Sequence, residues 1–181
     1  MYRFLTVLSL FSILSATISA QSRKTIDTST DILMFVPGAI GAGISLYKHD
    51  YKGFWQLAGS GATAIATSYL LKHTIKKERP DGSDKHSFPS NHATAAFAGA
   101  AFLQKRYGWK IGAPAYAVGT YVAWGRIYAE KHDFWDILAG AAIGIGSAYI
   151  YTRPFSEKHN VTIGPAITPD GRPAFFFSMI L

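Results

Sequence analysis

The sequence predicts an all-α protein: a compact helical bundle embedded in a membrane and ending in a short hairpin-like tail. Three observations predict it. The 181 residues are 49% hydrophobic and only 16% charged, which argues against disorder and for a buried or lipid-facing chain. Five apolar segments follow one another at lengths that suit helices: Ile32–Tyr47, Phe54–Leu71, Ala93–Leu103, Ile111–Tyr128 and Phe134–Tyr151. All five are rich in Gly, Ala and Ser, as in Gly38–Ile44 and Ala139–Ser147, and small residues let helix backbones approach closely in lipid.

Taken in order, residues 1–20 have the form of a secretory signal. Arg3 precedes an apolar run from Phe4, and Ala16, Ser19 and Ala20 supply small residues for cleavage before Gln21. The other reading is an uncleaved first membrane span, for which the run is short. Gln21 to Thr30 is a polar stretch before the first apolar segment. The helical domain is placed at residues 21–155. Ala93–Leu103 is too short to span a bilayer alone, and Gln104-Lys105-Arg106 follow it directly. With residue 21 outside, the first two segments return the chain to the outside. That puts the Lys72–Ser90 loop and Arg126–His132 outside and Lys105–Lys110 inside. The tail, residues 156–181, has two strand-like runs around Pro169-Asp170-Gly171, a turn signal that predicts a hairpin.

Three stretches carry chemistry. The first runs from Lys72 to Arg79-Pro80, the second is Pro89-Ser90-Asn91-His92, and the third holds Arg126, His132 and Asp136. They supply three permanent cations, a hydroxyl, two imidazoles and a carboxylate, in a chain with no cysteine. That inventory suits phosphoryl transfer without a metal: cations for the phosphate oxygens, one His as nucleophile, one as acid, and an Asp to orient. Ser90 is a natural N-cap for the helix that follows, and a helix N-terminus is a ready anion site. Pro80 biases Arg79 away from helical angles, so Arg79 and Lys72 converge through a loop. His132 and Asp136 are four apart and share a face if that stretch is helical. Lys76, Lys77 and Asp133 read as solvated or turned elsewhere, and His49, His73, His86 and His159 as incidental. No Asp-rich cluster accompanies the stretches, so no metal or other cofactor is expected.

These stretches resemble the three signature motifs of the type 2 phosphatidic acid phosphatase superfamily, which also holds class A acid phosphatases and vanadium haloperoxidases. The motif-like coverage runs from Lys72 to Asp136. The resemblance implies that Lys72, Arg79, Ser90, Asn91 and Arg126 bind the phosphate. It further implies that His132 attacks phosphorus to give a phosphohistidine, His92 protonates the leaving oxygen, and Asp136 orients His132. Two positions depart from the pattern. Asn91 stands where Gly is usual, and Asn tolerates left-handed backbone angles that would present its N–H to phosphate. Gly125 stands where Ser is usual, a loss of at most one hydroxyl.

The formal charge of +7 points to an anionic partner. Basic residues are interleaved with apolar segments rather than gathered on one face, which disfavours nucleic acid. The resemblance implies hydrolysis of a lipid-linked phosphate ester or pyrophosphate, or of a small phosphate ester if the chain is a soluble exported acid phosphatase. A non-catalytic lipid-phosphate binder would not need the acid, nucleophile and orienter together. The expected location is the cell membrane with the site on the exported side, or the periplasm for the soluble alternative.

Overall fold

Caps and chain breakers cut the apolar stretches into helices near the predicted places. The computed structural model describes residues 22–155, 160–168 and 172–180. The leader or first span expected at residues 1–20 lies outside these. Helix α1 covers residues 22–33, where only a polar stretch is expected from sequence, and the chain then turns at Met34-Phe35. Helix α2, Val36–Tyr47, starts with Pro37 in its first turn, where the missing N–H costs nothing. Asp50 caps α3, Tyr51–Thr74, by accepting from Gly53 N, and Ser90 caps α4, Asn91–Tyr107, by accepting from Ala93 N. Gly108, at φ 91°, ends α4 and begins α5, Trp109–Tyr128. Asp133 and Asp136 form a reciprocal capping box at the start of α6, Phe134–Tyr151.

Helix α4 is central and contacts α2, α3, α5 and α6. Its 17 residues make it about 25 Å long at about 1.5 Å per residue, longer than its apolar core suggests. Small residues set the packing. A Cβ on Gly140 would lie 2.5 Å from the Ser90 carbonyl oxygen, and one on Gly144 would collide with the Thr94 carbonyl. Those two glycines let α6 lie against the backbone of α4. The interior is correspondingly built from Ala and small polar residues around Phe102, Leu103 and Val122. Many large apolar side chains point outward instead: Ile32, Phe35, Trp55, Leu70, Trp135 and Ile150 are each more than half exposed. Among the described residues, two stretches, Ser22–Tyr47 and Phe134–Tyr151, are long and apolar enough to cross a membrane.

At the C-terminal end of α4, Arg106 grips Asp50 with two bonds, Nε to Oδ2 at 2.7 Å and Nη2 to Oδ1 at 2.5 Å. Tyr107 Oη donates to the same carboxylate, and Arg106 Nη1 donates to the Arg153 carbonyl. Burial alone would raise the Asp50 pKa, but the bonds from Arg106, Gly53 and Tyr107 hold it below the usual carboxylate range. Beyond α6, β1 (Asn160–Ile167) and β2 (Pro173–Ile180) pair antiparallel, with Ile167 opposite Pro173. This is the expected hairpin, although its turn, residues 169–171, lies outside the described residues.

Candidate active site

The three motif stretches meet at the N-terminal ends of α4 and α6 and the C-terminal ends of α3 and α5. Their connections are tied to one another. Lys77 and His86 form a β-bridge, Ser87 N donates to the Lys77 carbonyl, and Arg79 N donates to the Asp84 carbonyl, closing the α3–α4 loop on itself. Asp81 then joins that loop to the α5–α6 connection: its N–H donates to the Glu130 carbonyl and its carboxylate accepts from Lys131 Nζ at 2.7 Å. Burial pushes the Asp81 pKa up, but Lys131 and Ser83 outweigh it and hold the carboxyl well below the usual range.

Asp136 is fully buried and is the hub. Its Oδ1 accepts from Lys77 Nζ at 2.8 Å. Its Oδ2 accepts from Ser87 Oγ at 2.5 Å and from Asp133 N at 3.1 Å. The Ser90 N–H donates to the Asp136 carbonyl, so the caps of α4 and α6 are bonded together. Lys77 also donates to Asp133 at 2.5 Å. Burial would lower the Lys77 pKa, but the two carboxylates raise it, so it stays charged. Two expectations are corrected here. Lys77 is not a solvated bystander, and Asp133 does not face elsewhere. Ser87 was not anticipated; its place beside the motif stretch Pro89-Ser90 is the only signal for it in the sequence.

His132 precedes the N-cap of α6, so the chain is not helical at His132 and the condition for a shared helical face with Asp136 is not met. The connection nonetheless brings Nδ1 to 3.6 Å from Asp136 Oδ2, an ion-pair distance too long for a hydrogen bond. Buried His132 Nδ1 and buried Arg126 Nε both lack a hydrogen-bond partner. Burial pushes the His132 pKa below its ordinary value, and the positive charges of Lys72, Arg126 and Arg79 add to the shift against the opposing pull of Asp136. The three motif cations therefore act on one imidazole, which stays neutral at pH 7.

The remaining predicted residues lie around it. Lys72 is buried, and its Nζ donates to the His86 carbonyl at 2.5 Å. Arg79 is held by Asp84 at 3.0 Å. Ser90 is buried as the cap of α4. Asn91 is the first helical residue and has no positive φ, so its left-handed tolerance is not called on; its Oδ1 accepts from Ser68 Oγ at 2.6 Å.

Helix α1 supplies what the sequence reading missed. Asp27 and Asp31 both pair with Arg126 Nη1, Asp31 at 3.2 Å, and Thr30 Oγ1 lies 3.3 Å from the same nitrogen. His92 Nε2 lies 2.7 Å from Asp31 Oδ1. Gly125 explains the approach: a Cβ there would stand 2.5 Å from Thr30 Cγ2. The departure from the family pattern at 125 is therefore the seat of α1. The available signal was two acids four apart in a stretch otherwise short of apolar residues.

Between α2, α3 and α4 runs an apolar hollow of about 520 Å³ lined by Phe35, Leu57, Ile65 and Gly99. A smaller one of about 220 Å³ shares Phe35 and Ile65 with it and reaches Ser68, Asn91 and Thr94 beside the cap of α4.

A sequence model of the PAP2 superfamily matches residues 53–159. The chain is 30% identical to a lipid A 4'-phosphatase of Helicobacter pylori, over 71% of this chain and 70% of that protein. It is 29% identical to a lipid A 1-phosphatase of the same species, over 66% of this chain and 67% of that protein. Its fold is similar to the crystal structure of a transmembrane PAP2 type phosphatidylglycerolphosphate phosphatase from Bacillus subtilis. That likeness has a TM-score of 0.57 at 24% identity, covering 72% of this chain and 73% of the other.

Proposed function

We propose that this chain, which belongs to the PAP2 superfamily, removes phosphate from a phosphorylated lipid through a phosphohistidine on His132. The observation that carries the reading is the buried imidazole of His132, with Nδ1 3.6 Å from the Asp136 carboxylate and without a hydrogen-bond partner, together with the equally unpartnered buried Nε of Arg126. Arg126 and Lys72, with Arg79, take the equatorial phosphate oxygens, and the unpartnered Arg126 Nε gains an acceptor when substrate arrives. His132 Nδ1 faces Asp136, which leaves Nε2 to attack phosphorus. The bond from phosphorus to the leaving oxygen breaks, and His92 gives that oxygen its proton. Water then attacks the phosphohistidine, returning a proton to His92 and releasing phosphate from His132. Asp136, 3.6 Å from Nδ1, stays ionised, orients the ring and stabilises the charge that develops on it. The cations supply the charge that a metal would otherwise provide, so the reaction is metal-independent.

A lipid substrate fits the outward-facing apolar side chains and the hollow that leads from Phe35 and Ile65 to Asn91. The relatives named for lipid A act at two different phosphates, so a lipid-linked phosphomonoester is the class proposed. The bundle is read as membrane-embedded with the site end on the exported side, as the form of residues 1–20 suggests.

Phosphate release from a panel of lipid and water-soluble phosphates by the purified chain in detergent, with chelator present, tests the reading. Turnover of lipid phosphates that survives chelation and falls with vanadate is expected, because vanadate mimics the five-coordinate phosphoryl group. Activity that disappears with chelator and returns with Mg²⁺ or Zn²⁺ would overturn the mechanism. Cysteines placed at Ser83 and Glu130 test the orientation: both should react with an impermeant reagent from the exported side.

A further inference from the structure

We infer that Asp31 on helix α1 is a positioning residue for His92, and that α1 is thereby part of the active site. This rests on the phosphatase reading above. His92 has two ring nitrogens, and Nε2 is 2.7 Å from Asp31 Oδ1. The carboxylate accepts the Nε2 proton, which leaves Nδ1 to carry the proton for the leaving oxygen. An acid of this kind must be an imidazolium before transfer, and a carboxylate on its far nitrogen both stabilises that state and fixes the ring. Three charged or titratable groups bear on the ring: Asp31 from α1, Arg126 from α5 and His132 from the α5–α6 connection. Burial and then Arg126 push the His92 pKa down to about 4, and Asp31 is the group that opposes them.

Independent geometry supports the assignment. The same Oδ1 that meets His92 lies 3.2 Å from Arg126 Nη1, so Asp31 bridges the acid to a phosphate-binding cation. Thr30 is fully buried against Gly125, where no side chain would fit. The contact is thus built into the packing of α1 on α5. Asp27 is the internal control, since it meets Arg126. The site then holds two carboxylate–histidine pairs: Asp136 behind the nucleophile and Asp31 behind the acid.

The test is a leaving-group split in the purified full chain. Asp31→Asn should lower turnover of an alkyl phosphate lipid by roughly 10- to 100-fold, because an alkoxide needs its proton. It should lower turnover of p-nitrophenyl phosphate, whose leaving group needs little protonation, by no more than about threefold. Asp31→Glu should restore part of the alkyl activity, and Asp27→Asn should change both substrates by similar factors. Equal losses on both substrates in Asp31→Asn would overturn the proposal. A rise in activity would overturn it too, by making α1 an inhibitory strap. If Asp31→Asn does not fold, ¹⁵N shifts of His92 in the wild-type chain decide: an Nε2–H tautomer is expected, and an Nδ1–H tautomer would refute it. A wild-type chain inactive on both substrates would instead sink the phosphatase reading itself.

Discussion

At one end of α4, Arg106 commits its donors to Asp50, Gln56 and the carbonyls of Arg153 and Pro154, while Tyr107 and Gly53 complete the Asp50 carboxylate. At the other end of the helix, Arg126 and His132 are as deeply buried but each keeps a nitrogen without a partner. Both ends bury charge. In the first the polar atoms have settled on one another, and in the second they are held apart by a framework of other bonds. Buried polar groups are nearly always paired, so the unpaired Nε of Arg126, a side chain held in place by Asp27 and Asp31, is what the proposed substrate would complete. Thr152 Oγ1, near the Arg106 end, is also unpaired, but it is a neutral hydroxyl and carries no comparable penalty.

The sharpest way to break this contrast is to remove one residue from each end. His132→Ala should reduce turnover by at least about a thousandfold, since no other group stands to attack phosphorus. Its melting temperature in detergent should stay near wild type, because the imidazole makes no strong bond to lose. Turnover within tenfold of wild type would end the distinction. Arg106→Ala should do the reverse. Leaving buried Asp50 unpaired costs about 3–5 kcal/mol of stability, while kcat per folded molecule should stay within about twofold. Thermal melting together with active-site-normalised rates reads both quantities.

A third substitution probes the coupling between the two halves of the catalytic end. Gly140→Ala would press a methyl group against the Ser90 carbonyl and so separate the caps of α4 and α6. Both stability and rate should fall, by about 1–3 kcal/mol and roughly tenfold respectively, measured by melting and by kcat/KM. A neutral outcome would mean that the α4–α6 contact does not set the site. The smallest effect is on pH dependence. Because burial and the three cations keep the proton off His132, the acidic limb of kcat/KM should lie below the ordinary histidine value of about 6.5. Arg79→Gln removes one cation, so protonation becomes easier and the limb should move to higher pH by a fraction of a unit. A limb that moves down, or stays still, would show that Arg79 does not act on His132.

Much of this was readable from the residues. The five apolar segments correspond to α2 through α6, because long runs of small and apolar residues with clear stops leave a chain few alternatives. The motif residues were legible for a different reason: Lys, Arg, His and Asp at fixed spacing between apolar runs have little structural excuse there. The sequence reading failed where polarity serves packing. Residues 22–33 look like a solvated linker because their inward face is Ile26, Asp27, Thr30 and Asp31, which find their partners on α4 and α5. Lys77 looks like one more surface lysine until α6 places two carboxylates beside it. Gly125 reads as a lost hydroxyl, whereas it makes the space that α1 fills. In each case the deciding partner lies about fifty residues or more away, beyond the reach of local pattern.

The seat of α1 on Gly125 also bears on biosynthesis. Helix α1 leaves the ribosome before any other described element, yet Asp27 has no side-chain partner until Arg126 arrives at the end of α5, and Gly125, against which Thr30 packs, arrives with it. His132 and Asp136 are synthesised later still. A nascent chain therefore carries no working site until its last helices are inserted. On the proposed mechanism, hydrolysis begins only when the bundle is complete.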